Sequence, residues 1–154
     1  MRTARNKTPV LYDGKENEVQ IGKGVVLSEG NDVAIIACGV LVHEAMDAAN
    51  MLKDEGINAT VVDMHTIKPL DTELLDNLAK QCGAFVTAED HSVIGGLGGA
   101  VAEHLVSSHP VPMEKIGVPD RFGESAGSEE MLEMMGLKSH HIVEAAKKAI
   151  ARKV

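Results

Sequence analysis

Apolar residues along this chain fall into two rhythms, short unbroken runs and longer stripes at helical spacing. Behind Asp32 the run Val33, Ala34, Ile35, Ile36, Ala37, Cys38 ends at Gly39, which predicts a strand covered on both faces. Helical spacing follows at once. Val42, Ala45, Met46, Ala49, Met51 and Leu52 share one wide stripe that Gly56 ends. A short strand over 59–64 comes next. Asp71 then reads as the N-cap of a helix with Leu74, Leu75, Leu78 and Ala79 on one face, closed by Gly83. Residues 84–90 form a third buried run. Residues 91–100 are rich in glycine and lead into a helix over 97–107, which Pro110 and Pro112 stop. A strand over 113–118 and a loop over 119–127 follow. Ser128 is expected to cap a short helix ending at Gly136, and Ser139 to start a last helix with Ile142, Val143, Ala146, Ala149 and Ile150 inward. Ahead of all these, Val19, Ile21, Val25 and Leu27 alternate around Gly22 and Gly24, which predicts an edge strand with a glycine break.

Strand and helix alternate, and right-handed crossovers then require an α/β fold, a three-layer α/β/α sandwich. The 154 residues suit one domain, read as a polar arm over 1–16 and a domain over 17–154. Aromatic residues make up only 2% and Trp is absent, so Val, Ile, Leu, Met and Ala must fill the core. The net charge of −8 and the lack of a basic stripe argue against nucleic acid or an anionic membrane as partner. Lys147, Lys148, Arg152 and Lys153 sit where they complement a helix C-terminus. The apolar runs are too short to span a bilayer, and no hydrophobic segment follows the charged opening residues. Cys38 and Cys82 form no CxxC pattern and read as reduced, buried residues of a cytoplasmic protein.

Ligands of such sheets sit beyond the carboxyl ends of the strands, here loops 38–42, 64–71, 89–99 and 119–127. Loop 89–99 reads Glu-Asp-His-Ser-Val-Ile-Gly-Gly-Leu-Gly-Gly. Glycines before a helix let backbone N–H groups approach an anion, but the spacing fits neither GxxxxGK[ST] nor GxGxxG. Tight packing on the sheet or on a partner is the favoured reading, with a ligand-facing loop as the alternative. Glu89, Asp90 and His91 have the residue types of an acid–base set. Neighbours on an extended segment point to opposite faces, which favours a hydrogen-bonded turn or an interface cluster. His140 and His141 are expected to diverge on their helix and to bind no metal. Asp120 and Arg121 are expected to form a local ion pair or to contact another domain. Ser92 and Ser125 lack a nucleophile elbow. No catalytic, cofactor-binding or metal-binding residue is assigned.

Three segments carry a family resemblance. Asp63-Met64-His65-Thr66-Ile67-Lys68-Pro69-Leu70-Asp71, the glycine-rich stretch 89–99, and Val118-Pro119-Asp120-Arg121-Phe122-Gly123-Glu124-Ser125 resemble the C-terminal domain of the transketolase family, over 21–154. The resemblance implies a mostly parallel five-stranded sheet whose first strand is antiparallel. It implies a parent enzyme that transfers ketol groups between sugar phosphates, with thiamine diphosphate and Mg2+ held by an N-terminal and a pyrimidine domain. It further implies that this domain serves homodimer assembly and the active-site entrance. Glu89, Asp90, His91, Gly95, Gly96, Asp120, Arg121 and Phe122 are the candidate contacts to those other domains. The family's GDG and downstream NN, which anchor the diphosphate, are absent here, so no cofactor is expected in this chain. Residues 2–9 resemble the exit from the pyrimidine domain, so the chain reads as an excised domain, inactive alone. The same domain occurs in 1-deoxy-D-xylulose-5-phosphate synthase and in the β subunit of 2-oxoacid dehydrogenase E1. A stand-alone module for an anion or regulatory ligand is a further reading. Ser125-Ala126-Gly127 departs from the family's usual Ser-Gly.

Overall fold

In the computed structural model, residues 8–12 and 19–153 are described, and strands and helices alternate through them. Their order is β1 (Val25–Ser28), β2 (Val33–Ala37), α1 (Leu41–Asp54), β3 (Ala59–Asp63), α2 (Thr72–Cys82), β4 (Phe85–Ser92), α3 (Gly96–Ser107), β5 (Met113–Val118), α4 (Ser128–Met134) and α5 (Ser139–Ile150). The strands form one five-stranded sheet ordered β1-β3-β2-β4-β5. Only β1 runs antiparallel, against β3, and the other pairs are parallel. Both features are those implied by the family resemblance.

The run Val33–Ala37 shows why the layers form. All five residues are fully buried. Successive side chains point to opposite faces of a strand. Val33, Ile35 and Ala37 join one core with Leu41, Leu52, Ile142 and Ala146 of α1 and α5. Ala34 and Ile36 join the other, with Leu75, Leu78, Leu97 and Val101 of α2 and α3. A fully buried Val, Leu or Ile contributes about 1.5–3 kcal/mol, against about 0–1 kcal/mol for a surface ion pair. The two apolar layers therefore hold the sheet, and the charged exterior adds little.

Four expectations shift. The first strand begins only at Val25, because the chain turns before it: Lys23 N–H bonds to Gln20 O and Gly22 has φ +84°. Val19 and Ile21 are left exposed. β4 runs on to Ser92, beyond the expected end at 90, and pairs there with Val118 of β5. Ser128 is the first residue of α4 rather than its cap, with Gly127 in the cap position and no side-chain bond to the helix end. Cys38 is only half-buried, whereas Cys82 is buried in the sheet–α2 core, and neither is in a disulfide. The expected arm over 1–16 lies mostly outside the described residues. Its residues 8–12 lie on the domain, where His43 Nε2–H donates to Pro9 O at 3.0 Å and Leu11 packs on the α1/α5 core.

Candidate functional site at the carboxyl edge of the sheet

Parallel strands end together, so β2, β3 and β4 deliver their following residues to one edge. A cleft of about 570 Å3 opens there. Cys38 and Gly39 line it after β2, His65, Thr66, Ile67 and Lys68 after β3, and Glu89 and His91 at the end of β4, with Gly96 at the start of α3. Three of the four expected loops thus meet in one place. The Lys68–Pro69 peptide beside it is cis.

Glu89 dominates the geometry. It is 2% exposed. Its Oε2 accepts the N–H of Leu97 at 2.8 Å and its Oε1 accepts that of Gly98 at 2.7 Å. A helix N-terminus leaves N–H groups unpaired and favours a negative charge. The chain's own carboxylate fills that position. Gly96, with φ +60°, is the residue that allows it: a Cβ there would lie 2.2 Å from Glu89 Oε2. The glycines therefore let backbone close on a protein carboxylate.

This arrangement bears directly on whether a diphosphate fits. The N–H groups that would cradle one are already used, and their acceptor is an anion that repels phosphate. The start of α3 therefore offers a diphosphate no free Leu97 or Gly98 N–H.

The other candidates divide. His91 lies two residues from Glu89, so both face the cleft, with His91 Nδ1 3.9 Å from Glu89 Oε2 and 3.0 Å from Ser92 O. Asp90 is exposed, on the opposite side of the strand. Gly95 takes the cap position of α3 with φ +77°. Asp120, Arg121 and Phe122 lie in the exposed loop after β5 and do not line the cleft. Arg121 pairs with Glu124, at 2.8 Å, rather than with the neighbouring Asp120, and also donates to Met134 O at 2.8 Å. Phe122 is 97% exposed, whereas Phe85 is buried in the core.

Residues 63–71 are held by contacts that short-range reading misses. Tyr12 O–H donates to Asp63 Oδ2 at 2.7 Å across 51 positions. Burial pushes the Asp63 carboxyl above the usual aspartate range, partly offset by that hydrogen bond. Burial and the neighbouring Asp63 likewise raise the Tyr12 phenol. Asp63 Oδ1 and His65 Nε2 are buried with no hydrogen-bond partner among the described residues. Asp71 is structural: it accepts N–H groups from Leu74 at 3.3 Å and from Gly24 at 3.1 Å, tying α2 to the entry of β1.

His140 and His141 do not diverge as expected. Their ring centroids are 3.9 Å apart and tilted by 37°. His140 Nε2 lies 3.2 Å from Glu133 Oε1 across the turn between α4 and α5. Helical spacing alone could not show this, because the third group comes from another helix.

Residues 22–142 match the family model described as Transketolase, C-terminal domain. A 6-deoxy-6-sulfo-D-fructose transketolase subunit from Clostridium sp. (strain MSTE9) is 45% identical over 94% of this chain and 45% of its own length. A putative transketolase C-terminal section from Methanocaldococcus jannaschii is 43% identical over 92% and 45%. A 1-deoxy-D-xylulose-5-phosphate synthase from Trichormus variabilis is 42% identical over 94% of this chain but 23% of its own length. Among solved structures, a split-gene transketolase described as an inactive β4 tetramer superposes with a TM-score of 0.94 at 47% identity, over 97% of this chain and 49% of that one. The chain spans about half the length of its split relatives. Among the described residues, no helix is long and apolar enough to cross a membrane.

Proposed function

Because this chain belongs to the transketolase C-terminal-domain family, we propose that it is the assembly and active-site-entrance domain of a thiamine-diphosphate-dependent ketol-transferring enzyme acting on sugar phosphates. The diphosphate and pyrimidine portions of that enzyme hold the cofactor and Mg2+, and the catalytic centre lies between them. Residues 17–154 are the domain, and the segment before them is the connection from the pyrimidine portion. Alone, the chain performs no turnover. The observation that carries this reading is the Glu89 carboxylate seated on Leu97 and Gly98 N–H. The most ligand-like loop of the sheet edge is satisfied from within. What it presents outward is surface: Asp90 and His91 beside it, and the loop of Asp120, Arg121 and the 97%-exposed Phe122. Large apolar side chains of this kind supply the anchors of interfaces when a partner buries them.

The homodimer expected for the parent follows the family's two-subunit active site. The split-gene relative, described as a β4 tetramer, supports self-association of chains that carry this domain. The 1-deoxy-D-xylulose-5-phosphate synthase likeness keeps a second parent in play, with the same role for this domain.

The test is complementation in trans. The chain is mixed with diphosphate- and pyrimidine-binding portions of a split transketolase that lack this domain. Ketol transfer should appear only in the mixture and fall at least severalfold with Phe122→Ala. Restoration of turnover only when the added portions come from a 1-deoxy-D-xylulose-5-phosphate synthase would instead select the second parent. Turnover by the chain alone would refute the proposal.

A further inference from the structure

One cluster of metal-ligating side chains lies outside the cleft and has no part in the proposed assembly role. α4 ends at Met134, the chain reverses through Gly136 at φ +72°, and α5 begins at Ser139. Such a reversal requires a residue tolerant of positive φ. It sets the last turn of α4 beside the first turn of α5. Glu133, His140 and His141 then each bring one ligand atom to within 4.8 Å of the other two. His141 Nδ1 is buried and has no hydrogen-bond partner among the described residues. A buried polar atom left unpaired is costly and is rare in native proteins. The ring's other edge lies over Gly136, with Nε2 4.0 Å from where a Cβ there would be. A larger residue at 136 would crowd the imidazole.

We propose that Glu133, His140 and His141 form a binding site for a divalent transition-metal cation. Two imidazoles and a carboxylate suit zinc, nickel or cobalt, whereas Mg2+ and Ca2+ require oxygen ligands throughout. The site is thus chemically different from the Mg2+ site of the parent enzyme. Three protein ligands leave a coordination position open to water or to a group from another molecule.

Three features oppose a cation here, and each is small. The first turn of α5 presents the positive end of its dipole, which weakens a cation by less than about tenfold. Lys138 carries a positive charge at the cap of α5, but it is paired with Glu44 at 2.9 Å and with Glu129. Arg121 is paired with Glu124 while it donates to Met134 O. Residues that merely orient a metal ligand are worth about 10–100-fold in affinity, so three direct ligands outweigh the dipole.

The untagged full chain is titrated calorimetrically with Zn2+, with Mg2+ as the control ion. Zn2+ should saturate at one ion per chain, and Mg2+ should give no saturable heat. His140→Ala and Glu133→Gln should each weaken Zn2+ by about tenfold or more. Both side chains are about half-exposed, so neither change threatens the fold. His109→Ala, at an exposed histidine outside the cluster, should leave the titration unchanged. Loading with Co2+ should give the visible absorption of a nitrogen- and oxygen-ligated ion, lost in His140→Ala. Absence of saturable Zn2+ binding would overturn the proposal, as would binding that His140→Ala leaves intact.

Discussion

A carboxylate that accepts two backbone N–H groups at 2.7 and 2.8 Å has claimed the positive end of α3 for itself. Removing it in Glu89→Ala leaves both donors unpaired in a buried setting, at a cost of about 1–3 kcal/mol each at most. Thermal unfolding should therefore fall clearly. An unchanged midpoint would show that water replaces the carboxylate without penalty. Asp63 makes a second residue-scale prediction. Its folded pKa lies above the ordinary 3.8, so the folded state holds a proton that the unfolded chain releases first. Its contribution is complete below 3.8 and is lost as pH rises through the elevated folded value. Stability of the wild type relative to Asp63→Asn should fall across that window and then level off, measured by urea unfolding at several pH values. Parallel curves would rule out the raised value. Neither Glu89's role as a cap nor the Tyr12–Asp63 bond was legible in the residues alone. The first needs the backbone turn at Gly95 and Gly96 to be known, and the second spans 51 positions.

At the scale of elements, Asp71 shows what sequence does carry. A cap and its receiving N–H at Leu74 lie three residues apart, so the signal is local, and the structure places it as expected. The same carboxylate also holds Gly24 N–H, and Lys23 Nζ lies 3.4 Å away. Asp71→Ala should cost about 1–2 kcal/mol for the cap alone. The melting temperature should drop by roughly 2–4 °C per kcal/mol for a domain of this size. A loss no larger than that of an exposed surface change would mean that α2 and the entry to β1 are held by packing alone. The buried runs were equally legible, because a strand covered on both faces must be apolar throughout, as Val33–Ala37 is. The edge strand was less so. Its alternation continues back to Val19, but hydrogen bonding to β3 begins only after the turn at Lys23. The paired rings of His140 and His141 escaped for a related reason. Helical spacing describes one helix, and their partner Glu133 arrives from the helix before it.

Across the whole molecule, the carboxyl edge of the sheet carries both a cleft and an exposed loop. The cleft is lined by Glu89, His65, Lys68 and His91. The loop of Asp120, Arg121 and Phe122 faces water. Three motifs in order were enough to give the family, and the resemblance then implied a mostly parallel five-stranded sheet with its first strand antiparallel; the strand order came only from the structure. Which of their residues turn inward was settled only by the folded backbone. We propose that this edge is a docking surface rather than a cofactor site. Calorimetric titration of thiamine diphosphate with Mg2+ into the 154-residue chain tests it most directly. No saturable binding is predicted, because Glu89 occupies the N–H groups a diphosphate would need. Saturable binding of the cofactor by the chain alone, weakened by Lys68→Ala, would contradict it.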